Sequence, residues 1–173
     1  MPATYTLIAS NTLSSSAASV TFSSIPNTYT DLVLKLSVRS ARTDPSDTIN
    51  FTINSIGGTS YSNTALVGNG SAASSGRVSN ANDVDYSAAA NAATSTSNTF
   101  SNVEIYIPNY AGSTNKPFSA FTAYEDNTTT AVIRANASLL SNTAAVTSIT
   151  MATAGIGDFV SGSSFYLYGI KNS

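Results

Sequence analysis

The sequence predicts an all-β fold, a single-domain antiparallel β-sandwich of jelly-roll type. Apolar and polar residues alternate strictly in one segment after another, as in strands with one wet face. Clusters of Gly, Asn, Asp and Pro recur between those segments. No window carries an apolar helical stripe with caps, although the Ala-rich run 88–93 has the composition for one helical turn.

The clearest strand sets Leu32, Leu34, Leu36 and Val38 against Val33, Lys35, Ser37 and Arg39. The next puts Ile49, Phe51 and Ile53 on one face and Asn50, Thr52 and Asn54 on the other. The pattern returns with Val103, Ile105 and Ile107 against Glu104 and Tyr106, and with Phe165 and Leu167 against Tyr166 and Tyr168. Further strand candidates are residues 4–9, 20–25, 118–125, 131–140 and 146–151. Turn signals stand at Pro26-Asn27, Asp44-Pro45-Ser46-Asp47, Gly57-Gly58, 109–112 and 155–157. About eight to ten such strands exceed a minimal immunoglobulin-like sandwich, which favours the jelly roll. Leu34, Leu36, Phe51, Ile105, Ile107 and Leu167 are the expected core.

The 173 residues suit one domain built on one core. Two stretches stand apart: an extended N-terminal segment, 1–19, and a long low-complexity loop or weak edge region, 68–99, made almost wholly of Ser, Ala, Asn, Gly and Thr. Both are poor in charge and bulk, so both suit lying along another protein and pairing by backbone hydrogen bonds.

Composition excludes several function classes. Hydrophobic residues make up 42% and the net charge is -2, which separates the chain from disordered proteins of low hydrophobicity and high charge. Its 7 basic residues are scattered singly, so no stripe neutralises a phosphate backbone and no nucleic acid is expected as a partner. No apolar run approaches the roughly 20 residues that cross a bilayer, and no membrane partner is expected. The start, Met1-Pro2-Ala3-Thr4-Tyr5, lacks the pattern of a signal peptide, which points to synthesis in the cytoplasm. The four Asn-x-Ser/Thr triplets, at Asn50, Asn69, Asn127 and Asn136, are expected by chance in a chain so rich in Ser and Thr.

Catalysis is not expected. The chain has neither His nor Cys, so a serine triad, a thiol nucleophile and a zinc site are missing in their usual forms. The two glutamates, Glu104 and Glu125, fall on outward strand positions and read as solvated rather than as a glycosidase pair. Asp44 with Asp47, and Asp83 with Asp85, offer oxygen ligands for calcium, but neither pair has the further ligands of a calcium loop, and turn capping is the plainer reading. Gly155-Ile156-Gly157 is a bare G-x-G with no Lys nearby and reads as a turn. No catalytic residue, cofactor or metal is therefore assigned. Of the 9 Tyr, three, Tyr106, Tyr166 and Tyr168, fall on outward strand positions. Tyrosine suits interfaces, because the ring buries while the hydroxyl stays wet. A subunit contact is the leading reading for these three, with filling from an opposite sheet and a sugar-stacking platform as alternatives.

Residues 5–10 (YTLIAS), 20–36 (VTFSSIPNTYTDLVLKL), 69–77 (NGSAASSGR), 105–117 (IYIPNYAGSTNKP), 141–149 (SNTAAVTSI) and 165–170 (FYLYGI) resemble, in the same order, small virion-surface proteins of tailed bacteriophages, including cyanophages. Those proteins are described as head decoration or cement proteins and as tail-fibre tips. The resemblance implies a jelly-roll-like sandwich that forms a homotrimer, and it brings no catalytic residues. It implies a virion structural protein, with the major capsid protein as partner and the outer capsid surface as location. The alternative is a receptor- or carbohydrate-binding tip of a tail fibre. No coiled-coil or collagen-like stalk precedes the β pattern, which favours decoration over a fibre.

Overall fold

A computed structural model describes residues 4–127, 130–154 and 157–171, the side chains of residues 85–87 excepted. The described residues form twelve antiparallel strands and no helix, hence no helix able to span a bilayer. In chain order the strands are β1 (Tyr5–Thr12), β2 (Ser19–Phe22), β3 (Asp31–Val38), β4 (Ser46–Ile53), β5 (Tyr61–Gly68), β6 (Ala73–Ala81), β7 (Val84–Asn91), β8 (Ser101–Ile107), β9 (Lys116–Glu125), β10 (Ala131–Leu140), β11 (Ile149–Thr153) and β12 (Ser164–Ile170). A large sheet has the order β1-β12-β3-β8-β9-β10-β5-β6, and a small sheet has the order β2-β11-β4-β7.

That order is a jelly roll with two insertions. Without the hairpins β5–β6 and β9–β10, the eight remaining strands fall into two sheets, with orders first-eighth-third-sixth and second-seventh-fourth-fifth. The two hairpins then pair with each other, β10 beside β5, and extend the large sheet beyond β8.

Where the two sheets face each other the filling is hydrocarbon. Leu32, Leu34, Leu36, Ile105, Ile107, Phe165 and Leu167 of the large sheet meet Ile49, Phe51, Ile53, Ile149 and Met151 of the small one, all buried. Full burial of each such side chain stabilises by about 1.5–3 kcal/mol. Phe51 packs on Phe118 with ring centroids 5.5 Å apart, and Phe159 meets Phe165 edge-on at 5.1 Å. Tyr29 lies flat on Gly169, where a Cβ would sit 2.3 Å from the ring, so only glycine fits at that point of β12.

The stretch expected as a long loop, 68–99, holds β6 and β7 instead. Its small side chains suit strands rather than a loop: Ala88 and Ala90 of β7 are fully buried, and their size lets the strand lie close over β8, β9, β10 and β5. The Ala-rich run is accordingly strand and not a helical turn. Of the expected extended N-terminal segment, residues 5–12 are β1, paired with β12, and residues 1–3 lie outside the described residues.

Two charged side chains fix the loop after β7. Arg39 is buried and its guanidinium donates to the carbonyls of Thr96 (2.8 Å), Thr99 (3.0 Å) and Ser95 (3.2 Å) and to Ser95 Oγ (3.0 Å). Opposite it, the Glu125 carboxylate accepts from Thr96 N–H (2.7 Å), Asn127 N–H (2.8 Å), the Thr99 hydroxyl (2.9 Å) and the Thr96 hydroxyl (3.1 Å). Arg39 was expected to point into solvent by strand parity; the carbonyls of this loop turn it inward.

Candidate functional site

The outer face of the large sheet is where the fold leaves apolar side chains uncovered. Tyr5, Leu7, Leu66, Phe121 and Ile133 are between 46% and 59% exposed, and all five project from this one face. Across the register, Leu7 lies beside Tyr168, Tyr168 beside Val33, and Val33 beside Tyr106. One row along, Tyr166 is followed by Lys35, Glu104, Phe121, Ala135 and Leu66. The face thus has a tyrosine-rich half on β1, β12, β3 and β8 and an aliphatic half on β9, β10 and β5. The Lys35–Glu104 ion pair lies between them and neutralises both charges.

The three tyrosines singled out from the sequence all stand, half-buried, in the first half. Tyr166 and Tyr168 stack at 6.4 Å, and Tyr5 meets Tyr168 edge-on at 6.3 Å. Tyr106 stands two strands from Tyr168, about 10 Å away at ordinary strand spacing. Val33 between them is 1% exposed although it faces outward. The Tyr106 hydroxyl donates to Asp31 Oδ2 at 2.7 Å, while Asp31 Oδ1 accepts from Asn109 N–H at 2.8 Å. This bond to a carboxylate, with some burial, holds the Tyr106 phenol above its ordinary range, so it stays neutral and orients the ring. Sequence reasoning missed Tyr5, Leu7, Leu66, Phe121 and Ile133. Phe121 was legible by parity, since it alternates with Phe118, Ala120 and Thr122 on a strand that was recognised.

The inner face of the extension is different in kind. There Thr122, Asn136, Ser138 and Asn63 replace hydrocarbon, all buried, and Lys116 is buried at the start of β9, its ammonium donating to the carbonyls of Gly112 (2.6 Å), Thr114 and Thr143. Burial pulls the Lys116 pKa down. The Arg134 guanidinium donates to the carbonyl of Ala88 at 3.4 Å. Past β7 no strand of the small sheet covers this face, and a groove of about 320 Å³ opens between Arg134 of β10, Asn63, Ala65 and Val67 of β5, and Ser74 to Val78 of β6. Arg134 also lines a neighbouring depression of about 380 Å³ that holds Arg42, Asp44 and Asp47.

The carboxylates have structural partners. Glu104 pairs with Lys35, and Glu125 clamps the loop after β7. Burial pushes the Glu125 pKa up, but the bonds from Asn127, Thr99 and Thr96 outweigh it and hold the group below its ordinary value. Glu104 lies opposite Phe121, four residues from Glu125 along β9, and each carboxylate is held by a different set of partners. Of the aspartate pairs considered for calcium, Asp44 and Asp47 both face Arg42, at 2.5 and 3.4 Å. Asp83 accepts from Asn50 Nδ2 at 3.0 Å, and the Asp85 side chain lies outside the described residues. Among the described residues no three Asp or Glu side chains converge as a metal site would require.

No family model matches the sequence, and no curated protein is detectably similar to it. Among solved structures, galectin LEC-6 of Caenorhabditis elegans aligns over 98% of this chain and 96% of its own, with 11% identity and a TM-score of 0.33. A likeness of that size adds nothing to the strand order described above.

Proposed function

We propose that this chain is a tailed-phage virion structural protein, a decoration (cement) protein that binds the outer capsid surface as a homotrimer and stabilises the head. The observation that carries the reading is the outer face of the large sheet. It gathers all five large exposed apolar side chains of the described residues, and its central charges are already paired, so it loses little by desolvation on contact. The sequence resemblance supplies the kind of particle and the trimer. In this reading the tyrosine-rich half, with Tyr106, Tyr166 and Tyr168, meets neighbouring copies, and the aliphatic half around Phe121, Leu66 and Ile133 meets the major capsid protein. Contact across capsomer boundaries adds buried area that resists the pressure of a packed head. No bond is made or broken, and the work is binding.

The rival, a receptor- or carbohydrate-binding tip, draws on one observation, the groove beside Arg134 and Asn63. Particle imaging with the protein labelled separates the two. Hundreds of copies spread over the head are expected; a few to a few tens at the tail would replace the cement reading with the tip. In solution, light scattering should report three chains, and the double variant Tyr166→Ser, Tyr168→Ser should report one that is still folded by circular dichroism. A chain that is monomeric both free and on the particle rules out the trimer.

A further inference from the structure

The two sheets have four edges, and three are blunted. β2 is four residues long, too short to template another strand. β1 carries a bulge between Leu7 and Ala9. The free edge of β7 is covered at its end, where Arg39 bridges Asn91 and Ser40 N–H donates to the Asn91 carbonyl. The fourth edge, β6, is broken only at its far end, where Asn80 is the extra residue of a bulge between Ser79↔Ser62 and Ala81↔Tyr61. It runs nine residues with no proline, pairs with β5 without interruption from Ser62↔Ser79 to Gly68↔Ala73, and carries one charge, Arg77. Among the described residues nothing hydrogen-bonds to its outward backbone groups.

A row of outward N–H and C=O groups at strand spacing is complementary to one kind of ligand, another extended backbone. The side chains beside it narrow the choice. Arg77 is the middle residue of Ala73–Ala81, so two copies pairing β6 with β6 about a two-fold axis in full overlap would set Arg77 against Arg77, an unfavourable cross-strand pair. The opposite edge, β1, offers no carboxylate to a neighbour's Arg77 and is broken by its bulge. Neither β6 nor β1 holds an acidic residue, so an acidic complement to Arg77 comes from a different protein. Next to Arg77, on the inner face, a Cβ added to Gly76 would meet nothing within 4 Å, and the 320 Å³ groove opens beside it. A large side chain on the incoming strand can lean over that glycine and fill the space, as aromatic residues do across from glycines in edge strands.

We propose that β6 is an acceptor for an extended segment of a second, non-identical protein, which adds as a ninth strand to the large sheet. In the antiparallel sense that every pair of this sheet follows, the segment places an acidic residue opposite Arg77 and, directly after it, an aromatic residue opposite Gly76. The inference concerns the edge alone and does not depend on which particle carries the partner.

The test uses the intact chain and a panel of synthetic nine-residue peptides of alternating Thr and Val with Glu-Phe, Lys-Phe or Glu-Ala at the centre. A fourth peptide is the Glu-Phe sequence N-methylated at alternate residues, which removes one edge of its hydrogen bonds. Backbone amide shifts and hydrogen exchange of β6 follow the titration. The Glu-Phe peptide should shift and protect the β6 amides. The Lys-Phe and Glu-Ala peptides should bind roughly two- to fivefold more weakly, the scale of single cross-strand pairs, and the N-methylated peptide should not bind. Gly76→Val, which folds because its side chain enters open space, should erase the preference for Phe over Ala. The proposal is overturned if no peptide affects β6 at millimolar concentration, or if binding is indifferent to N-methylation. It is equally overturned if the β6 amides that point away from β5 are already protected in the peptide-free protein, because the edge is then occupied by a second copy.

Discussion

The two halves of the large sheet share a backbone architecture and differ in what they bury. From β1 to β8 the inner face is hydrocarbon against the small sheet, with Leu34, Ile105 and Leu167 fully enclosed. From β9 to β6 the inner face turns polar, and the hydroxyls of Thr122 and Ser138 are buried with no hydrogen-bond partner among the described residues. A buried, unsatisfied hydroxyl costs about 1–3 kcal/mol, whereas each buried leucine or isoleucine contributes a similar amount with the opposite sign. Stability is concentrated in the eight-stranded jelly roll, and the inserted hairpins are carried by it. A region that need not hold the fold together is free to keep an unprotected edge and an open groove.

The sharpest way to break this contrast is to cut the same kind of residue from each half. Ile105→Ala should destabilise by about 2–5 kcal/mol in denaturant melts, while Val67→Ala, half-buried at the groove, should cost less than about 1 kcal/mol. Equal losses would mean that the extension is as much a part of the core as the jelly roll. Thr122→Val tests the sign of the polar face. Removing a buried hydroxyl that makes no hydrogen bond should stabilise by roughly 1 kcal/mol, and a loss of that size would show that the hydroxyl is satisfied in solution.

Acid offers a third probe. The folded pKa of Glu125 lies below its unfolded value of about 4.3, so its contribution is present above that pH and is lost as pH falls through the folded value. Below about pH 4 the loop after β7 should therefore exchange its amides faster while the core strands stay protected, and Glu125→Gln should remove the pH dependence. Loop exchange that does not respond as pH falls from about 5 until the core strands themselves exchange, after correction for the intrinsic rate, would discard the clamp. The smallest effect belongs to the outer face. Phe121→Ser and Ile133→Ser should each change stability by no more than about 0.5 kcal/mol, yet reduce binding to capsids in a pull-down.

Most of the jelly roll was legible because one buried and one wet face leave a period-two trace. β3, β4, β8, β9, β10 and β12 all carry it. The strands that escaped notice are those in which the contrast vanishes. β6 is wet on nearly every residue, β7 uses alanines for its buried positions, and in β5 Tyr61 is followed by Ser62, Asn63 and Thr64, whose polar middle residue faces inward. One local signal was present, the Asn69-Gly70 dipeptide. Asn69 Oδ1 accepts from Ser71 and Ala72 N–H at 3.0 and 2.8 Å and closes the β5–β6 hairpin. At the outer face, parity identified Tyr106, Tyr166 and Tyr168, but the burial of Val33 among outward residues depends on rings from two neighbouring strands, which no local pattern records.

The nesting of the strands also sets a schedule for folding. β12 lies between β1 and β3, and β11 lies between β2 and β4, so strands from the beginning of the chain are neighbours only through strands from its end. During synthesis β1 to β4 leave the ribosome with their central slots vacant, while the hairpins β5–β6 and β9–β10 can close as soon as they emerge. At roughly 5–20 residues per second, the early strands wait several seconds with Leu34 and Phe51 uncovered before β11 and β12 arrive. In that interval the low charge offers little electrostatic protection against premature association.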